Sequence, residues 1–268
     1  MTLKSIRITL FVLLIPVFCA AQNAKIIVPA YAFPYDNANP GIHQVGPVWS
    51  SLIEAAKTYG NRLVVIANPY NGPGSGQGWE KQKYTEAINK VRQAGGTVLG
   101  YVHVCYGLTA TTPICQGRTV GDIKSDLNKW KQWYNVDGFF LDEAPSSATH
   151  LSMIQDLDNY IVNTLGYGNG RILVNNFGTM PAGTYLNQAG WVSIIMENTA
   201  AAFDANVNSL PASGNANNAV LIHTLTSGSW QSRKNALNAR QMGYYYITTD
   251  GSDWNPWDSL PSFFTQLF

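Results

Sequence analysis

Eight short runs rich in β-branched and aromatic residues, each followed by a segment of helical period, constrain this chain more than anything else in it. The runs are 25–31 (KIIVPAY), 62–68 (RLVVIAN), 97–104 (TVLGYVHV), 136–143 (VDGFFLDE), 171–177 (RILVNNF), 191–198 (WVSIIMEN), 219–225 (AVLIHTL) and 244–250 (YYYITTD). Most are apolar on nearly every residue, the pattern of strands covered on both faces, as parallel strands are. Between them VWSSLIEAAKTYG, YTEAINKVRQAGG, DIKSDLNKWKQWYN and SWQSRKNALNARQMG carry apolar residues at three- and four-residue spacing, and glycine often marks the stop. Eight such units close a ring, so the expected fold is a single-domain α/β (β/α)₈ TIM barrel. The fifth unit is the weakest, because PAGTYLNQAG holds barely two helical turns. An open doubly wound sheet is the alternative that this weakness keeps in play.

The first 21 residues read as a signal peptide: Lys4 and Arg7 precede an apolar core from Ile8 to Cys19, and small residues lead to a break before Gln22. That core is too short to span a bilayer and Pro16 interrupts it. Lipidation at Cys19 is disfavoured by the bulk of Phe18. Residues 22–268 then form the barrel domain of a secreted protein, extracellular or wall-associated, or periplasmic in a bacterium. Removal of Lys4 and Arg7 leaves 15 of the 17 basic residues against 16 acidic ones, a net charge of −1. With no basic patch or charge run, neither nucleic acid nor a stable membrane association is expected, and a monomer is. Charged residues are 12% of the chain, half the usual share, and aromatics are also 12%, which suits a sparsely charged polymer such as a polysaccharide as partner. In an exported chain Cys105 and Cys115 read as a disulfide, contributing about 2–3 kcal/mol on loop-entropy arithmetic. No CxxC or adjacent histidine makes the pair a metal site.

Barrel enzymes build their sites where strands finish. Here those ends are polar: Tyr31, Asn68, Tyr101 and His103, Asp142 and Glu143, Asn175 and Asn176, Glu197 and Asn198, His223 and Thr224, and Asp250. An apolar run that ends in two adjacent carboxylates pays for repulsion and desolvation unless both are used. Asp142, Glu143 and Glu197 on strands four and six supply what glycoside cleavage needs: one protonated acid and one ionised carboxylate. Asp142 is expected as nucleophile or charge stabiliser, Glu197 as general acid/base and Glu143 as the orienting residue, with the roles of Asp142 and Glu143 exchangeable. Side chains alternate along a strand, so both acids of the pair reach the axis only if the chain leaves the strand there, which Pro145 favours. Tyr31, Asn68, Tyr101, His103, Asn175, His223 and Asp250 are the candidate substrate-binding residues.

Other motifs argue against rival chemistries. NPYNGPGSGQG lacks the GK[ST] ending of a phosphate cradle and reads as a rim loop. There is no HxH pair to make His103 and His223 metal ligands, and no GxSxG elbow. DGFFLDE departs from the chitinase DGxDxDxE motif at Phe140 and in the position of the glutamate. Trp254 and Trp257 after strand eight suit either sugar stacking or packing of the last helix.

IIVPAYAFP, VIANPYNGPGSG, GYVHVCYG, VDGFFLDEAP and IIMEN together resemble the spherulin-4-like proteins, glycoside hydrolase family 135, from about Lys25 to the C-terminus. The resemblance implies a (β/α)₈ barrel that cleaves α-1,4-linked galactosamine or N-acetylgalactosamine polymers. It further implies endo action, retention of configuration, no cofactor or metal, and catalytic acids at Asp142, Glu143 and Glu197. A non-catalytic wall or spore-coat lectin and a polysaccharide deacetylase are the competing functions.

Overall fold

The computed structural model describes residues 24–35, 45–226, 228–251 and 255–268. The expected leader, Cys19 and Trp254 lie outside the described residues. Strands β1 (Lys25–Ala30), β2 (Leu63–Ala67), β3 (Thr97–His103), β4 (Gly138–Asp142), β5 (Ile172–Asn176), β6 (Trp191–Thr199), β7 (Asn218–His223) and β8 (Tyr244–Ile247) pair in sequence order, and β8 returns to β1. Every pairing is parallel. The open sheet is thereby excluded, and the (β/α)₈ barrel stands.

The helices sit where the apolar spacing puts them, and their ends have local causes. Pro47–Tyr59 starts on a proline and stops at Gly60, whose φ of 56° only glycine adopts freely. Val120–Trp133 begins with a reciprocal capping box between Thr119 and Asp122. Trp230–Ala239 begins on Ser229, whose hydroxyl accepts from the Gln231 and Ser232 amides. The fifth unit is as short as PAGTYLNQAG suggests, a single turn at Gly183–Leu186. Among the described residues no helix is long and apolar enough to cross a membrane.

Residues in register on neighbouring strands share a face. The pairs Leu99↔Gly138, Tyr101↔Phe140 and His103↔Asp142 therefore stack as successive layers on the inner wall. The intervening residues face the helices. Gly100 is one of these, and a Cβ there would lie 2.4 Å from the Trp130 ring, so the glycine lets Val120–Trp133 approach β3 closely. Trp130 Nε1 then donates to the Tyr101 carbonyl at 2.7 Å, locking the helix to the strand that carries two site residues. Asp137, the first acid of VDGFFLDEAP, serves the opposite end of the barrel, accepting from Arg92 and from the Val98 amide, each at 2.8 Å.

Candidate active site

β4 ends at Asp142, and Glu143 takes φ 52°, a left-handed conformation that breaks the strand's alternation. Both carboxylates consequently line one cavity of about 320 Å³, with Tyr106, Asn176, Phe177, Gly178, Glu197 and His223. The anticipated exit from the strand is what lets the adjacent acids share it.

Glu197 reaches the same cavity through a bulge. The β6–β7 register shifts between Ile194 and Met196, so that Ile194 pairs with Ala219 but Glu197, three residues on, pairs with Leu221, only two residues on. One extra residue thus restores Glu197 to the inner face occupied by Ile194, where an unbulged strand would turn it outward. The deviation from regular geometry is the reason the third acid is in the site.

Asn176 connects the two strands' acids. Its Nδ2 donates to Asp142 Oδ1 at 2.7 Å and to Glu197 Oε2 at 2.6 Å, which bounds the separation of those oxygens at 5.3 Å. The Gly178 amide donates to Asn176 Oδ1 at 3.2 Å and fixes the amide's orientation. Asp142 Oδ2 also accepts from the Tyr101 hydroxyl at 2.6 Å. Enclosure of the Glu197 carboxylate, reinforced by the Asp142 charge, pushes its pKa up to about 7 against the opposing hydrogen bonds of Asn176 and Trp257. Glu197 is half-buried, with one flank open to the cavity. Glu143 Oε2 stands 2.5 Å from His103 Nε2, in close contact but off the line of a ring N–H hydrogen bond.

The remaining candidates divide into three groups. Tyr101 and His103 position acids, and His223 lines the cavity, with Nδ1 2.7 Å from Thr224 Oγ1 and burial depressing its pKa. Tyr31 stands edge-on to Tyr101 at 5.8 Å, backing the site from behind, and burial together with Asp142 raises its phenol. The other three neither line the cavity nor contact one of its acids. Asn68 accepts the Gly72 amide at 3.1 Å and closes the glycine-rich loop, while Asp250 accepts the Gly251 amide and the Ser259 amide and hydroxyl, tying down the loop after β8. Asn175 is fully buried on the helix-facing side, because it precedes the inward Asn176 by one residue. Trp257 is buried: its ring stands edge-on to His223 at 5.6 Å and its side chain hydrogen-bonds Glu197, so it supports the site from the core rather than serving as an exposed stacking plate.

Four residues that line the cavity, Tyr106, Asn176, Phe177 and Gly178, were not among the candidates. Register parity would have selected Asn176 over Asn175, but no pairing is visible in a sequence. Tyr106 lies beyond β3 in a single left-handed turn, Cys105–Leu108, with φ of 55°, 51°, 76° and 66°. Three of its residues carry a Cβ, each costing about 1 kcal/mol or more in that conformation. The Cys105–Cys115 disulfide, with Cα atoms 5.7 Å apart, fastens it as the sequence led us to expect. His103, Glu143 and the two sulfurs cluster within 4.8 Å, yet the sulfurs are bonded to each other and offer no thiolate to a metal.

The family model described as Spherulation-specific family 4 matches residues 25–268. Spherulin-4 of Physarum polycephalum is 29% identical over 258 residues, spanning 92% of this chain and 70% of that protein. Among solved structures, Sph3 of Aspergillus clavatus, crystallised in complex with GalNAc, aligns with a TM-score of 0.72 at 22% identity and covers 91% of this chain and 95% of its own. That likeness is one of fold. The match over nearly the whole described chain, with the acids on β4 and β6 of a closed barrel, makes this protein a member of the spherulin-4 family.

Proposed function

We propose that the protein is a secreted endo-acting glycoside hydrolase that cleaves α-1,4-linked galactosamine or N-acetylgalactosamine polysaccharide with retention of configuration. The observation that carries this reading is the bridge from Asn176 to both Asp142 and Glu197, which holds their nearest oxygens within 5.3 Å. Retaining glycosidases place their two carboxyls about 5–5.5 Å apart, whereas inverting ones need roughly 6.5–9.5 Å to admit a water. The GalNAc in the Sph3 crystal structure supports the choice of sugar.

In this mechanism Glu197, protonated near neutrality by its enclosure, gives its proton to the departing glycosidic oxygen. Asp142, fixed by Tyr101 and Asn176, attacks the anomeric carbon as the bond to that oxygen breaks, leaving a glycosyl ester. Glu197, now ionised, takes a proton from water, whose oxygen displaces Asp142 and frees the sugar. Glu143, beside His103, presents the remaining negative charge to an amino sugar in the cleft.

The test is reducing-end release from galactosaminogalactan by the wild type and by Glu197→Gln, with NMR of the first anomer formed. Chain shortening with retained configuration, lost in the variant, is expected. Acetate release without shortening would instead make the protein a deacetylase, and binding without any release would make it a lectin.

A further inference from the structure

The turn Cys105–Leu108 is an expensive way to leave β3, and it is held from three sides. Cys105 is bridged to Cys115. The Tyr106 amide donates to the Glu143 carbonyl at 2.7 Å, joining two left-handed residues across the rim. Gly107 lies against His150 so closely that a Cβ there would be 2.7 Å from Nδ1. What this arrangement presents is the Tyr106 ring, 48% exposed yet lining the cavity of the acids. A ring used for packing would be buried, as Tyr101 is at 4%. The backbone bond from Tyr106 to Glu143, two residues that line the same cavity, places Tyr106 on the Glu143 side of the cleft.

We infer that Tyr106 contacts the substrate, as the platform for the hexosamine unit on the Glu143 side of the scissile linkage, and that the Cys105–Cys115 disulfide is the positioning element that keeps it there. An aromatic face suits the apolar C–H face of a pyranose, and a ring carried on a backbone already held from three sides has less freedom to lose when the sugar arrives. The role rests on the glycosidase reading above and adds a redox dependence to it. A dithiol such as dithiothreitol reduces the cystine to two thiols, supplying two electrons and two protons and closing to its own cyclic disulfide. The turn then loses one of its three restraints while the Asp142–Asn176–Glu197 group, on β4, β5 and β6, keeps its own bonds.

The experiment measures KM and kcat on galactosaminogalactan for the full chain, Tyr106→Ala, Tyr106→Phe, Cys105→Ser/Cys115→Ser and the triple variant with Tyr106→Ala. Tyr106→Ala is expected to raise KM about tenfold, the worth of one aromatic contact, with a smaller change in kcat. Tyr106→Phe, which keeps the ring, restores most of the affinity. Loss of the disulfide raises KM comparably, and adding it to Tyr106→Ala raises KM little further, because both act through one ring. If the double cysteine variant fails to fold, dithiothreitol on folded wild type and on Tyr106→Ala gives the same comparison. An unchanged KM in Tyr106→Ala, with Glu197→Gln inactive, overturns this inference and leaves the glycosidase intact. Additive effects overturn the positioning role. If the wild type releases no reducing ends, equilibrium binding of the same polymer decides: equal affinity in Tyr106→Ala, or no binding by the wild type, overturns the inference as well.

Discussion

Replacing Glu197 by glutamine should abolish turnover and, above neutral pH, make the protein more stable. Burial and the Asp142 charge raise the Glu197 carboxyl from 4.5 to about 7. The native state therefore holds this proton more tightly than the unfolded chain does, so its stability is complete below about pH 4.5 and declines as pH rises through 7. At about 1.36 kcal/mol per unit the ionised carboxylate costs roughly 3 kcal/mol by pH 8, an upper figure because cavity water solvates one flank. Glutamine matches the shape, can still accept a hydrogen bond and never ionises. For a chain of this size each kcal/mol moves Tm by about 2–4 °C, so Glu197→Gln should melt up to about 6–12 °C above wild type at pH 8 and level with it at pH 4. Thermal melts of the two proteins across that range are the assay. A Tm difference that does not depend on pH, or a variant less stable at pH 8, would refute the account of Glu197 as an enclosed acid beside a second charge.

The same proton predicts the activity profile: kcat/KM on galactosaminogalactan should fall as pH rises through about 7, where Glu197 loses it, and a pH–rate series reads this directly. Asn176→Ala removes the donor shared by Asp142 and Glu197 and should lower kcat by about 10²-fold with the fold preserved, as steady-state kinetics beside circular dichroism would show. Asp137→Ala breaks the hydrogen bonds from Arg92 and the Val98 amide at the far end of the barrel, and should cost about 1–3 kcal/mol in urea unfolding while leaving kcat unchanged.

The barrel was legible because its signals are local and repeated. Each strand announces itself by its own apolar run, each long helix by spacing and by a stop such as Gly60, and eight repeats leave few architectures open. Strand ends were placed to within two or three residues. β8 was read three residues too long, since Thr248 and Asp250 continue the polar tail of YYYITTD after the ladder has ended at Ile247. The acids were legible for a chemical reason: Asp142, Glu143 and Glu197 are carboxylates at the ends of apolar strands, where a merely structural role is costly.

What escaped is whatever depends on which way a side chain faces. The choice between Asn175 and Asn176 turns on a register that pairs Val174 with Phe140, a relation between strands more than thirty residues apart that no local window contains. Asn68 and Asp250 sit at strand ends like the acids of the cavity, but their oxygens are taken by Gly72 and by Ser259, amides whose approach depends on the loop's path. Glu197 reached the site against simple alternation, through one unpaired residue in β6. Glu143 and Tyr106 did so through left-handed backbone that their residue types disfavour. These three departures from regular geometry converge on one cavity of about 320 Å³. Strain persists where the surrounding structure over-determines it, and in this chain the disulfide and the Tyr106–Glu143 hydrogen bond supply that constraint beside the acids.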